Sequence, residues 1–154
     1  MRYIVFLLPT LFTAFKCSTA QDVNLGEVVP KGVVPKVVLD GRYKGNVLIT
    51  DDPQNEYNLR RPEFGPEDVF GNIITFNSNG RFTSAYSADC GNDCFLYCAG
   101  RYAWEDNEHI KLVADSIRIT GDCDNKKYNP HKILGLYKVE QWGKTTLLKK
   151  DNIK

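Results

Sequence analysis

The stretch GNIITFNSNGRFTSAYS, Gly71 to Ser87, constrains the fold more than any other. Asn79-Gly80 offers the positive backbone angles that a tight hairpin turn needs. On either side, Ile74, Phe76, Phe82 and Ser84 recur at a period near two, which places them on one face of two paired strands. The hairpin therefore runs from Ile73 to Asn77, turns at Ser78-Asn79-Gly80 and returns over Arg81 to Ser87. A helix would need an apolar repeat near 3.6, and this segment has none.

The same pattern recurs downstream. FLYCAGRYAW and HIKLVADSIRIT form a second hairpin around Asp106-Asn107, with Tyr102 and Trp104 alternating on one strand and Ile110 and Leu112 on the other. ILGLYKVEQWGKTTLLKK forms a third, turning at Gly143-Lys144. Upstream, Gly41 to Thr50 suits a first strand. The one helical candidate is a single turn at Gly65 to Gly71, with Pro66 at its first position. Seven strands follow, or eight with a leader strand. Successive hairpins without crossovers predict an all-β antiparallel meander, a small barrel of seven to eight strands, since closure removes exposed edges. The gap from Thr50 to Phe70 is long for a compact β domain and is expected to cover one barrel mouth.

The N-terminus sets the compartment. One early basic residue, Arg2, precedes an apolar run of 13 residues from Tyr3 to Phe15 and then the small residues Ser18-Thr19-Ala20. That is the layout of a secretory signal peptide over residues 1–20, too short for the ~20 residues of a membrane-spanning helix. An alternative reading makes Cys17 an acylated lipoprotein cysteine, the one route by which this chain would reach a membrane; Lys16 before it argues against that route. Residues 21–36, with the duplication VVPKGVVPK, form an extended leader, because proline cannot serve a central strand or a helix interior. The ordered domain then spans 37–150 and a tail spans 151–154. Removing Arg2 and Lys16 leaves 18 basic against 19 acidic residues, a formal charge of −1. Such a balance lacks the basic stripe of a nucleic-acid binder.

In an oxidising compartment, Cys90, Cys94, Cys98 and Cys123 are expected to form structural disulfides. If paired positions of the second hairpin sum to 214, Gly100 faces Ala114 and Ser116 faces Cys98. Cys123 is then carried out beside Cys90 or Cys94, and the remaining two pair locally. No metal centre is expected: His109 and His131 sit in no ligand-spaced pair, and a Cys-x-x-Cys motif is absent.

LDGRYK, ITFNSNGRF, CAGRYAWEDNEHIKL and YKVEQWGKTTLLKK together resemble the small secreted lipocalin-like proteins of the Bacteroidota, over about Leu39 to Lys149. Tyr43 stands where lipocalins proper have tryptophan in their Gly-x-Trp motif. The resemblance implies an eight-stranded up-and-down barrel with no catalytic residues.

Signatures of hydrolases, metalloproteases and phosphate-binding loops are absent, so the chain reads as no enzyme and as needing no cofactor. Eight Phe, eight Tyr and two Trp offer apolar walls with polar tips. Tyr43, Phe76, Phe82, Tyr86, Tyr102, Trp104 and Tyr137 are the candidate lining of a pocket for a small apolar ligand. Tyr57, Arg60 and Arg61 are candidates for holding an acidic group at the mouth. The competing expectation is a packed barrel, an interaction or inhibitor module that meets a protein partner through its loops.

Overall fold

The structure is a computed structural model that describes residues 30, 32–63, 65, 68–89 and 92–151. The signal segment, Cys17, the leader as far as Val29, Pro66, Cys90 and residues 152–154 lie outside these.

Nine antiparallel strands and no helix are found among the described residues: β1 Gly41–Gly45, β2 Glu56–Arg60, β3 Gly71–Asn77, β4 Arg81–Ser87, β5 Cys94–Trp104, β6 His109–Gly121, β7 Lys126–Tyr128, β8 Lys132–Trp142 and β9 Thr145–Lys150. The pairing order β5-β4-β3-β1-β2-β9-β8-β6 is closed by β5 against β6. This is an eight-stranded lipocalin-like barrel, with β7 attached outside the ring to the far end of β6.

The Asn79-Gly80 hairpin lies where the sequence predicts it. Phe76 faces Phe82, Asn77 faces Arg81, and Gly80 takes φ 79°. The eighth strand of the ring comes from an unexpected place. It is not the leader but β2, inside the Thr50–Phe70 gap. Tyr57 and Leu59 are buried and alternate with Asn58 and Arg60, between Pro53 and Pro62. β1 is correspondingly short and ends at Gly45.

Segments on either side of β1 close the two ends. At one end, Lys36 N donates to Asn107 O at 3.0 Å, and Tyr102 Oη lies 3.1 Å from Leu39 O, so residues 36–39 lie across the opening. At the other, residues 46–55 cross beneath the barrel. Ile49 is fully buried there and its N–H donates to Ser84 Oγ on β4 at 2.9 Å. Tyr137 Oη on β8 reaches Gln54 O at 2.9 Å.

Two bulges tune the wall. Gly100 faces Ala114, as the sum of 214 requires, but Ala99 faces Ser116 and Cys98 faces Ile117. The extra residue, Asp115, projects where Arg101 clamps it through two nitrogens at 2.7 and 2.8 Å. Because of this shift, Cys98 does not face Ser116. Gly100 permits a close crossing at the same point: a Cβ there would lie 2.3 Å from Val113 O and 2.5 Å from the Phe82 ring. In β8, Leu112 faces Gly135 and Val113 faces Ile133, so Leu134 is the extra residue. Leu134 and Tyr137 thereby both reach the core despite their odd spacing.

Cys94 and Cys123 form a disulfide, with Cα atoms 5.5 Å apart. It joins the first residue of β5 to the segment after β6, one of the two pairings the sequence allows. The expected pairing of Cys98 is corrected: Cys98 is a free, fully buried thiol on the inner face of β5. Burial pushes its pKa up to about 12, with the carboxylates of Asp51 and Asp115 adding to the effect.

Gly100→Ala is expected to destabilise the fold by about 1–3 kcal/mol through overpacking, read as a lowered urea midpoint. Cys94→Ser should cost about 3–4 kcal/mol on the chain-entropy argument. In the native protein Cys98 should resist alkylation at pH 8 and react only on unfolding; rapid native labelling would contradict its buried, protonated state.

Candidate functional site

Most of the candidate pocket lining is core. Tyr43, Tyr57, Phe76, Phe82, Tyr102, Trp104 and Tyr137 are all buried, each exposing 4% or less. Phe76 packs edge-on to Tyr43 and Tyr102, with centroids 6.0 and 5.2 Å apart, and against Phe82 at 5.9 Å. Tyr57 and Tyr137 meet at 5.6 Å. These rings pack against one another inside the barrel. Tyr86 stands apart, half-buried at the rim, near Phe95 and with its hydroxyl 3.3 Å from Asp93 Oδ2.

The buried hydroxyls are satisfied by the segments that close the ends. The single O–H of Tyr102 is shared between Asn77 O at 2.8 Å and Leu39 O at 3.1 Å, Tyr137 donates to Gln54 O, and Tyr57 accepts from Gln54 N at 3.0 Å. Desolvation raises all four buried phenols above the ordinary value, Tyr102 to about 12.

The three mouth candidates separate in space. Tyr57 is in the core. Arg60 is engaged, its Nη2 lying 2.7 Å from Asp68 Oδ1. Arg61 spreads its guanidinium over the Tyr43 ring, 4.1 Å from the centroid.

What gathers instead is a surface cleft on the outer side of β1. β2 and β3 both run antiparallel to β1 and flank it. The connection between them, described at residues 61–63, 65 and 68–70, therefore joins opposite ends of β1. Because Tyr43 points inward, Arg42 and Lys44 point outward beneath this crossover. Arg42 Nη2 lies 3.5 Å from Asp68 O and 3.4 Å from Val69 O. Asp68 anchors the crossover: Glu63 N donates to its Oδ2 at 2.6 Å, Arg60 holds Oδ1, and Lys44 Nζ stands 4.0 Å away. The Glu63 amide and the Arg60 guanidinium hold the Asp68 carboxyl below the ordinary carboxylate value. Asp68 N also donates to Gly65 O, the described part of the single turn expected there.

Arg42, Arg61, Pro62, Gly65, Asp68 and Val69 line a cleft of about 500 Å³. Sequence reasoning missed Arg42, Asp68 and Val69, since no local motif marks a strand whose outer face will be crossed. Pro53 and Pro62 bracketing alternate Tyr57 and Leu59 were the legible sign that β2, and hence the crossover, was there.

Among the described residues no three His, Cys, Asp or Glu side chains converge as a metal centre would require. His109 bonds Asp106 at the β5–β6 turn, and His131 approaches Asp115. No known protein family, curated protein or solved structure matches the chain, so its chemistry rests on these residues alone.

Asp68→Asn should loosen the crossover while leaving the barrel folded, seen as faster proteolysis between Arg60 and Gly71. Acid should act in the same direction. A carboxyl with a lowered native pKa stabilises above its unfolded value, and this contribution is lost as pH falls through the native value. Equal cleavage rates in the wild type and Asp68→Asn would show that Asp68 is no anchor.

Proposed function

We propose that the chain is an exported, non-enzymatic barrel that acts through its loops and outer wall, an interaction module with a filled interior and not a carrier of an internal ligand. The observation that supports this most is the interior. Its aromatic rings pack against one another, and its tyrosine hydroxyls are bound to the backbone that crosses both ends. A ligand entering the barrel would have to displace both rings and hydrogen bonds, leaving buried hydroxyls unpaired at a cost of about 1–3 kcal/mol each. Export is supported by the N-terminal signal pattern and by the Cys94–Cys123 disulfide, a bond that persists in oxidising compartments.

The reading with a small apolar ligand keeps one foothold. A pocket of about 190 Å³ lies between the leader and the barrel end, lined by residues including Pro35, Val37, Leu39, Tyr102 and Trp104. It is smaller than the ~300–1,000 Å³ of typical small-molecule sites.

Two measurements test the proposal. Native mass spectrometry of protein purified from its own source should show no neutral apolar adduct, and such an adduct would count against a filled barrel. In an ultraviolet alkaline titration, Tyr43, Tyr57, Tyr102 and Tyr137 should ionise only together with unfolding. Their raised native values mean that, above the ordinary tyrosine value, the unfolded chain has lost protons that the native one keeps. Stability then falls as pH rises, by about 1.4 kcal/mol per pH unit for each group. Reversible ionisation of all four near pH 10 in the folded state would indicate a wet interior.

A further inference from the structure

We propose that the cleft between β1 and the 61–70 crossover binds a small amphipathic monocarboxylate, an acid group on a short apolar body. This rests on the reading of a filled barrel that acts from its outer wall.

Charge supplies the first part of the argument. Arg60 and Lys44 stand at the Asp68 carboxylate, Arg42 contacts the Asp68 backbone carbonyl, and Arg61, over the Tyr43 ring, lines the same cleft. Asp68 engages Arg60 and Lys44, and among the described residues Arg42 and Arg61 pair with no carboxylate side chain. Arg42 uses a single nitrogen for its two long contacts to backbone carbonyls, at 3.5 and 3.4 Å. A guanidinium carries five N–H donors in a planar fork, so most of its donor capacity remains for an anion. Arg61 lies over the Tyr43 ring, 4.1 Å from its centroid, a cation–π contact that restricts the side chain before any ligand arrives.

Shape and polarity supply the second. The cleft volume of about 500 Å³ falls in the range of small-ligand sites. Pro62 and Val69 give it an apolar wall, and Val69 is 50% exposed although the core is otherwise well filled. An apolar body would cover that surface while the carboxylate reaches the two arginines. Asp68, another lining residue, sets the charge limit: its carboxylate repels a dianion more strongly than a monoanion.

Isothermal titration and amide-shift mapping of the full exported domain with decanoate, decanol and acetate test this. Decanoate should bind at least about tenfold more tightly than decanol or acetate, the weight of one charge-assisted contact. Its largest shifts should fall on Arg42, Arg61 and Val69. Arg61→Gln should weaken decanoate at least about tenfold, whereas Arg118→Gln, a cation on the outer wall over Tyr97, should leave it unchanged. If Arg61→Gln fails to fold, Arg42→Gln carries the same comparison. Equal affinity for decanoate and decanol, no binding, or no loss in the arginine variants would overturn the cleft while leaving the filled barrel standing. Shifts centred on Phe82, Gly100 and Leu112 would place the ligand inside the barrel and overturn both.

Discussion

A tyrosine hydroxyl buried in an apolar core must find a hydrogen-bond partner, and that demand organises this barrel. Tyr102 and Tyr137 extend from opposite stretches of the wall toward its two ends. Each meets a backbone carbonyl supplied by a crossing segment, Leu39 O for one and Gln54 O for the other. The bonds hold the segments down, and the segments keep water from the rings. Leucines in these places would fill similar volume without asking anything of the chain ends. The phenols convert a tube of paired strands into a closed body.

With both ends crossed by backbone, the groove that remains lies on the outer side of β1. β1 is flanked by two strands running the same way as each other, so the chain between them must join opposite ends of β1. The crossover carries backbone over a face whose alternate residues are Arg42 and Lys44. Asp68 neutralises part of this charge and pins the crossover through the Glu63 amide and Arg60. Topology thus creates a groove between two layers of backbone, and the polar alternation of a strand places arginine in it.

The legibility of the sequence followed the range of the interaction. The Asn79-Gly80 hairpin was readable because turn chemistry and period-two burial lie within a few residues of each other. The three hairpins and the all-β class followed from the same local rules. β2 was not read, because its five residues sit in a charged segment whose only signs are two flanking prolines and the pair Tyr57 and Leu59. The bulges at Asp115 and Leu134 left no compositional mark, since a single inserted residue changes register without changing residue type. Arg60 and Arg61 were adjacent in the sequence and looked like one site. They part in the structure, one engaging Asp68 on the outer side of β1 and the other lying on Tyr43.

The cysteines show the same division between local pattern and long-range register. Their even four-residue spacing invited a common role for Cys90, Cys94 and Cys98. A strand places residues four apart on the same face, yet the end of β5 and its interior give Cys94 and Cys98 different surroundings. Cys98 is on the inner face opposite Ile117, where no second sulfur of the described residues reaches it and burial favours the protonated thiol. Cys94 begins the strand opposite Gly121, whose φ of 104° turns the chain so that Cys123 comes back to it. A Cβ at Gly121 would lie 2.1 Å from Asp93 O, so the glycine allows the approach that the disulfide then fastens. The covalent bond is therefore selected by a backbone turn more than 20 residues from its first cysteine, and the rhythm of the sulfurs has no part in choosing it.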